Sequence, residues 1–268
     1  MQPPTASELR NLYDLQVRRN TTPDGSGSLV DWAPSFVRWT ANEGLGWSEI
    51  SWTQLDKTTA NETIAAQIDF FEQRRQSFVW RVHDYDQPSD LGSRLLDAGF
   101  SLIGSSAVMV APAASFTDSI ELPEGTELLR VTDIEGVDLL IGTHEEVFGH
   151  SHQALRRSIL ARLESAPSEM EMFVVTANGA PICSARMEFL PNRDFATLWG
   201  GGTIPEWRRR GIYKALVLQR ARMALARGYK YLLVLASDQS RPILTRLGFE
   251  VISMVSTYSW EPTHNVSS

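Results

Sequence analysis

Residues 196–226, ATLWGGGTIPEWRRRGIYKALVLQRARMALA, decide the fold of this chain. The pattern predicts a strand over 196–204, a turn over 208–211 and a helix that follows it. Pro205 ends the strand, because proline has no N–H to give to a sheet ladder. The helix carries apolar residues at a period of 3.6, which predicts one face buried against a sheet. These apolar positions are Ile212, Ala215, Leu216, Met223 and Ala226.

The turn before this helix predicts a binding site for an anion. The first N–H groups of a helix have no partner within the helix and carry partial positive charge, so they suit a phosphate. Gly211 allows the backbone to approach such a group closely. Arg208, Arg209 and Arg210 precede it, and the alternative interpretation of these three arginines is a solvated run of charge.

The sequence RRRGIY at 208–213 resembles the acyl-CoA loop of the GCN5-related N-acetyltransferase (GNAT) family. The family loop reads Arg or Gln, two residues, Gly, one residue, then Gly or Ala. Arg208 and Gly211 match this pattern, whereas Tyr213 stands at the last small position. The resemblance implies that backbone N–H groups from Arg209 to Lys214 hold the CoA pyrophosphate. The residues expected to bind the donor are therefore Arg208, Arg209, Arg210, Gly211, Ile212, Tyr213 and Lys214.

The same resemblance implies where the acyl group of acetyl-CoA would lie. In the family, the thioester carbonyl rests on N–H groups of the strand before the loop, and the matching positions are Gly201, Gly202 and Thr203. Glycines there also suit a bulge without any ligand. An alignment on Gly248 places Ser237 where many relatives have an Asn that contacts CoA. It places Ser240 near the pantetheine arm.

The residues for proton transfer are less marked in the sequence. Many family members have a tyrosine, which protonates the departing thiolate, where this chain has Leu244. A carboxylate or an imidazole could take the proton of the attacking amine, and Glu188 is the first candidate. Alternation along its strand makes a solvent-facing Glu188 an equal alternative. Glu145 and His150 are further candidates, in the region where the family builds its acceptor pocket.

Composition limits the other possible functions. The chain has 268 residues, 43% of them hydrophobic, and a net charge of -7, which does not favour a nucleic-acid or anionic-membrane partner. The single cysteine, Cys183, excludes an intrachain disulfide and fits a reducing compartment. With no secretory signal and no long apolar run, we expect a cytoplasmic protein. The spacing of His144, His150 and His152 matches no known zinc motif, so no metal is expected.

An internal repeat indicates two similar halves. Asp86-Gln87 precedes a short helix, Gly99-Phe100 and a strand, and Asp238-Gln239 precedes the same series at Gly248-Phe249. The fold class predicted is α/β (α+β), with two tandem GNAT-like halves, each a mixed, mostly antiparallel, twisted sheet flanked by helices. We expect domains at 1–115 and 116–268. At 55–62, where the first half should have its CoA loop, there is no glycine and there are two acids, so this half should be degenerate.

Two further patterns give expectations that the structure can test. Residues 29–40 read as a single strand-like segment, and Asn178-Gly179 predicts a tight hairpin between strands at 171–177 and 180–190. The last strand, over 251–260, closes the second half in this interpretation.

The functional hypothesis is an N-acetyltransferase that moves an acetyl group from acetyl-CoA to a primary amine of a small molecule or peptide, by direct attack in a ternary complex. The alternative is a CoA-binding regulatory module without turnover. The acidic composition favours a small cationic amine as the acceptor. The protein is expected to be a monomer, as an internal pseudo-dimer, or a homodimer.

Overall fold

The computed structural model describes residues 4–24, 26–42, 47–149 and 151–262. In these residues the α-helices are α1 (Ala6–Tyr13), α2 (Ala60–Gln73), α3 (Leu91–Asp97), α4 (Ile134–Phe148), α5 (Gln153–Ser165), α6 (Ile212–Ala226) and α7 (Arg241–Arg246). The strands are β1 (Leu29–Trp32), β2 (Phe36–Thr40), β3 (Ser48–Thr53), β4 (Phe78–His83), β5 (Ser101–Pro112), β6 (Thr126–Arg130), β7 (Met170–Ala177), β8 (Ala180–Phe189), β9 (Phe195–Thr203), β10 (Tyr231–Ala236) and β11 (Glu250–Trp260). The predicted α/β class, with mostly antiparallel sheets flanked by helices, is confirmed.

The chain forms two compact units that do not follow its order strictly. The first unit contains the described residues up to Val108, Ala236–Arg241 and the described residues from Val251 onward. The second unit contains Met109–Leu235 and Pro242–Glu250. Most of β11 therefore belongs to the first unit, although the sequence order suggests that it closes the second half. The domain boundary at 115 and 116 stays a prediction.

The sheet of the first unit has the order β1-β2-β3-β4-β11, with the first part of β5 next to β11. β3 and β4 are parallel, and β11 runs antiparallel to β4. The single strand predicted over 29–40 is wrong: the chain turns at Pro34, with the Ala33 N–H bonded to the Phe36 carbonyl at 2.9 Å, and β1 and β2 make a hairpin. Aromatic rings fill the core beside this sheet, for example Phe71 and Phe78, which stack with centroids 4.1 Å apart.

The sheet of the second unit has the order β10-β9-β8-β7-β6, with the end of β5 next to β10. β9 and β10 are parallel, and the other pairs among β6 to β9 are antiparallel. The predicted hairpin between β7 and β8 is confirmed. Its turn residues, Asn178 and Gly179, have φ values of 50° and 79°, the left-handed conformations that a type I′ turn needs.

Helices cover both faces of the second sheet. On one face, Met172 and Val174 of β7 pack against the helices α4 and α5. On the other face, Phe173 and Val175 pack against α6. α6 is buried around more of its surface than the sequence predicts, because Val217, Leu218 and Ala221 are also buried. The prediction that Ala226 belongs to the buried face is wrong, since this residue is exposed at the last turn.

None of the helices in the described parts of the chain has the length and hydropathy to span a bilayer.

Candidate active site

The pairing of the parallel strands β9 and β10 stops before either strand ends. Their pairing runs from Phe195–Tyr231 to Leu198–Val234. β9 continues for five more residues, to Thr203, beyond the last of these pairs. On its other side this extension still pairs with β8. The backbone of β9 from Trp199 onward therefore has one edge available for another extended group, such as a pantetheine arm.

A β-bulge re-aims the backbone at the start of this extension. Trp199 pairs with Arg186, and Gly202 pairs with Ser184. Between these two pairs β9 advances three residues while β8 advances two. Gly200 has φ 56°, in the left-handed region where glycine carries no steric penalty. A bulge leaves one residue without a cross-strand partner, and it changes the direction of the neighbouring N–H groups. The predicted glycine run thus makes a bulge, and this bulge lies where β9 continues past its pairing with β10.

The glycines at the bulge also allow close packing of helices on both faces. A Cβ on Gly201 would stand 3.0 Å from the ring of Tyr213 on α6. A Cβ on Gly202 would stand 2.6 Å from Val147 on α4. Tyr213, which replaces the small residue of the family loop, therefore lies against Gly201, where burial raises the pKa of its hydroxyl.

The arginine-rich turn leads directly into α6. Gly211 is the N-cap residue of this helix, with φ 84°, and no atom lies within 4 Å of the position that its Cβ would take. Arg209 has φ 61°, so the turn contains two left-handed residues. Arg208 is anchored by its Nε, which donates to the Thr203 carbonyl at 3.0 Å, and Arg210 lies over the Trp207 ring. The open helix N-terminus and its exposed cations fit a pyrophosphate.

The remaining predicted donor-binding residues have separate surroundings. Lys214, in the first turn of α6, pairs with Asp118 at 2.8 Å. Ser237 and Ser240 lie in a stretch assigned to the first unit, and their hydroxyl oxygens are 3.3 Å apart. Leu244 is fully buried, so this position offers no acid to a departing thiolate.

Glu188 lies on the face of β8 that α5 covers. Its Oε1 accepts a hydrogen bond from Arg162 Nη1 at 2.8 Å and lies 3.5 Å from Arg186 Nε. The exposed fraction of its side chain is 19%, so the alternative of a solvent-facing Glu188 does not hold. The carboxylate is held between two guanidinium groups.

A cluster of rings stands on the α4 side of the bulge. The ring of His144 is buried beside Gly200, and it lies 4.3 Å from the rings of both Phe148 and His152. Glu145 accepts from the His152 backbone N–H at 2.8 Å, a bond that lowers the pKa of its carboxyl. His150, the third candidate base, lies outside the described residues.

Two arginines near the bulge were missed by the sequence reasoning. Arg186 Nη1 lies 3.6 Å from the position of a Cβ on Gly200. Arg220, buried on α6, donates from Nε to the Leu216 carbonyl and from Nη1 to the Arg186 carbonyl, at 3.0 and 3.1 Å. The signal for Arg186 was present, because alternation along β8 puts it on the same face as Glu188. Nothing in the sequence marks Arg220, which occupies an otherwise apolar helix face.

The first unit has a similar pair of strands, and its own side chains occupy the corresponding place. β3 and β4 pair in parallel only from Ser48–Phe78 to Ile50–Trp80. Beyond this point the buried Arg18 donates from Nε to the Ser51 carbonyl at 3.0 Å, and it pairs with Asp86 at 2.8 Å. A salt bridge therefore lies against the backbone edge of β3.

The start of α2 is also occupied by a side chain of the protein. Asp56 accepts from the backbone N–H groups of Thr58 and Thr59 at 2.8 and 2.9 Å. Hydrogen bonds from the Thr58 and Thr59 side chains and backbone lower the pKa of Asp56 to about 2. A carboxylate thus fills the anion position that, among the described residues, has no side-chain cap at α6.

Comparisons with known proteins agree with this geometry. Residues 135–249 match the family model described as Acetyltransferase (GNAT) family. No curated protein matches the sequence. A GCN5-related N-acetyltransferase from Kribbella flavida superposes with a TM-score of 0.70 at 13% identity, over 97% of both chains. A tandem GNAT protein from the clavulanic acid biosynthesis pathway gives 0.62 at 13% identity, over 96% of this chain and 90% of the other.

A third similar structure, from Staphylococcus epidermidis, is described as functionally unknown, with a TM-score of 0.67, 12% identity, and coverage of 95% and 99%. At such identities these likenesses concern the fold alone. The fold is that of the GCN5-related N-acetyltransferases. Residues 135–249 match the model of the GNAT family, which uses acetyl-CoA, and the predicted resemblance to this family is confirmed.

Proposed function

We propose that this protein transfers an acetyl group from acetyl-CoA to a primary amine of a small molecule or peptide, by direct attack in a ternary complex. The observation that supports this best is the combination of splayed strands, bulge and open helix N-terminus in one unit. The first unit has the splayed strands but not the open helix N-terminus. Residues 1–115 are accordingly proposed as the degenerate half, and 116–268 as the transferase half.

Donor binding is assigned to backbone groups. The N–H groups from Arg209 to Lys214 hold the pyrophosphate, with added charge from Arg208 and Arg210. The extended edge of β9 holds the pantetheine arm, and the backbone at Gly201, Gly202 and Thr203 receives the thioester carbonyl. An N–H aimed at this oxygen stabilises the negative charge that develops on it during attack. Ser237 and Ser240 are retained as proposed contacts with the donor.

The reaction needs one proton removed and one supplied. The neutral amine attacks the carbonyl carbon, the C–N bond forms, the C–S bond breaks, and the electron pair leaves with the CoA sulfur. Glu188, directly or through water, takes the proton from the amine. Water supplies a proton to the thiolate, because Leu244 cannot. Glu145 and His150 are the alternative bases.

An acyl-enzyme on cysteine is disfavoured by the surroundings of Cys183. This thiol is fully buried, and burial raises its pKa to about 11. The reactive form of a cysteine is the thiolate, so a buried thiol with a raised pKa is a poor nucleophile. Direct transfer from acetyl-CoA to the amine needs no such intermediate.

The test is release of free CoA thiol, measured with acetyl-CoA and a panel of primary amines, together with mass spectrometry of the acetylated product. We expect release that depends on the amine. The buried Leu244 favours a second candidate, a CoA-binding module without turnover. Tight acetyl-CoA binding by calorimetry, with no thiol release for any amine, would support the module and contradict the transferase.

A further inference from the structure

We propose that the acceptor of this reaction carries a carboxylate near its amine, as an amino acid does, and that Arg186 binds this carboxylate. The inference rests on the proposed function, because it identifies the substrate class of that site. It concerns a guanidinium group that lies beside the bulge in β9, on the face covered by α4 and α5.

The position of Arg186 brings it next to the expected reaction centre. Its Nη1 lies 3.6 Å from the position that a Cβ on Gly200 would take, and His144 borders the same position at 3.1 Å. The backbone that follows Gly200 is the part of β9 assigned to the thioester. A carboxylate bound by Arg186 and an amine that attacks the thioester could therefore belong to one small acceptor, separated by a few covalent bonds.

The carboxylate of Glu188 lies closer to Arg162 than to Arg186. Both arginines contact this carboxylate. Glu188 makes its short contact, 2.8 Å, with Arg162, and its distance to Arg186 is 3.5 Å. Charge-assisted hydrogen bonds between guanidinium and carboxylate normally measure about 2.7–2.9 Å. Arg186 therefore makes a weaker ionic interaction with Glu188 than Arg162 does.

The side chain of Arg186 is largely buried. The exposed fraction of the Arg186 side chain is only 15%. Burial lowers the pKa of its guanidinium, partly offset by Glu188, while Arg162 lowers it further. Glu188 is a charged partner of Arg186 at 3.5 Å. A bound carboxylate would add a closer partner, and the planar guanidinium can hold its two oxygens at once.

The local charge reverses the expectation from composition. The whole chain has a net charge of -7, which by itself favours a cationic acceptor. The charged side chains around Glu188 are instead two arginines, and the neighbouring ring cluster contains His144 and His152. An acceptor with both an amine and a carboxylate suits this environment better than a simple polyamine does.

The experiment compares matched amines: each L-amino acid, its carboxamide, and the amine that lacks the carboxyl group. We expect the parent protein to acetylate at least one amino acid with a kcat/KM roughly ten- to a hundredfold above that of its carboxamide, the range for loss of a hydrogen bond to a charged group. Arg186→Gln should raise KM for the amino acid and bring this ratio close to one. Arg186→Lys, which keeps the charge but not the planar fork, should give an intermediate ratio.

Controls separate this inference from the proposed function. Arg246→Gln removes an exposed arginine on α7 and should leave the ratio unchanged. Affinity for acetyl-CoA, measured by calorimetry, should change by less than about threefold in Arg186→Gln, because the donor is held by backbone groups.

Three outcomes would overturn the inference. The first is a parent protein that acetylates carboxamides as well as acids, in which case acetyl transfer still stands. The second is an Arg186-dependent preference for succinyl-CoA over acetyl-CoA, which would place the carboxylate on the acyl group. If no amine is acetylated, the same acid and carboxamide pairs are titrated into CoA-bound protein to measure their affinities. Equal affinity for the acid and its carboxamide is the third outcome that would overturn the inference. Failure of acetyl-CoA to bind would instead contradict the proposed function.

Discussion

Glycines of the second unit serve different physical purposes at the residue scale. Gly202 is required by packing, because a Cβ would stand 2.6 Å from Val147. Gly211 has open space around it, and only its φ of 84° demands glycine. A substitution at Gly211 therefore tests the backbone conformation of the loop, without a steric clash in the protein.

Gly211→Val should weaken the binding of acetyl-CoA by roughly tenfold or more. A β-branched residue resists the left-handed conformation, at a cost of about 1–2 kcal/mol per residue. Gly211→Asn is the matched variant, since asparagine adopts this conformation more readily, and its affinity should lie between the two. Calorimetry gives the dissociation constants. Equal affinity in the valine variant and the parent would show that the loop does not bind the donor.

Glu188→Gln should lower turnover by roughly a hundredfold or more and leave the affinity for acetyl-CoA nearly unchanged, as expected for loss of a general base. The substitution keeps the shape of the side chain and its place beside Arg162. Glu135→Gln, at an exposed position in the first turn of α4, serves as the control. A change of less than about threefold in Glu188→Gln would exclude this residue as the base, and the pH profile of the rate would then be compared with Glu145 and His150 variants.

The stability of the first unit should fall as the pH drops below about 6.5. Burial lowers the pKa of His83 from its ordinary value of 6.5, and the Arg18 charge also lowers it. The unfolded chain therefore binds a proton at a pH where the folded chain does not, and acid favours unfolding. Asp86, whose pKa is lowered from 3.8, adds a loss only at more acidic pH.

The measurement for His83 is the melting temperature at pH 7.5 and pH 5. His83→Gln should reduce the difference between these values, because glutamine does not titrate and can still bond with Tyr13, whose hydroxyl lies 3.0 Å from His83 Nε2. An identical pH dependence in parent and variant would show that another group is responsible.

At the scale of elements, the two units contain the same strand–helix–strand arrangement with opposite chemistry at the helix start. α6 begins at an open turn with exposed arginines, whereas α2 begins at N–H groups already bonded to Asp56. The edge of β9 continues past its pairs with β10, whereas the Ser51 carbonyl of β3 is bonded to Arg18. An internal carboxylate and an internal guanidinium thus replace the ligand in the first unit.

We therefore expect each chain to bind one acetyl-CoA. Calorimetric titration should give a stoichiometry of one, and Gly211→Val should weaken that single event. Asp56→Asn, which removes the internal carboxylate charge, should not create a second event, because Arg18 and Asp86 still fill the strand edge. Two molecules of CoA per chain in a crystal would contradict the degeneracy of the first unit.

At the scale of the whole molecule, the end of the chain completes the first unit. Residues of β11 pair with β4 from Val255–His83 to Trp260–Phe78. Trp260 belongs to the aromatic core of that unit, and the Tyr258 hydroxyl packs closely against Gly92. Without β11, β4 would expose an unpaired edge and the core would lose a tryptophan.

Trp260→Ala should lower the free energy of unfolding by about 3–5 kcal/mol, the usual range for a buried aromatic residue. Val251→Ala, at an exposed position near the start of the same strand, should change it by less than about 0.5 kcal/mol. Chemical denaturation followed by circular dichroism measures both. A fragment of residues 1–115 should not unfold cooperatively, and a cooperative transition in this fragment would show that β11 is dispensable.

The sequence by itself was enough to predict the central local elements of the second unit and the resemblance to the GNAT family. Periodicity, Pro205 and Gly211 define β9, the turn and α6, because these depend on interactions within a few residues. Asn178-Gly179 defines the hairpin for the same reason. The order of elements and the D-Q and G-F repeats were enough to predict two similar halves.

Only the tertiary structure decided which distant residues meet. β11 pairs with β4 across more than half of the chain, and no local pattern encodes that choice of partner. Arg162, Arg186 and Glu188 come from a helix and a strand that only folding brings together, so the net charge of -7 for the whole chain does not reveal the two arginines beside Glu188. The position of the buried Arg220 side chain likewise depends on two carbonyl groups that accept its hydrogen bonds, those of Leu216 on α6 and Arg186 on β8. Long-range packing sets these features, and sequence spacing does not.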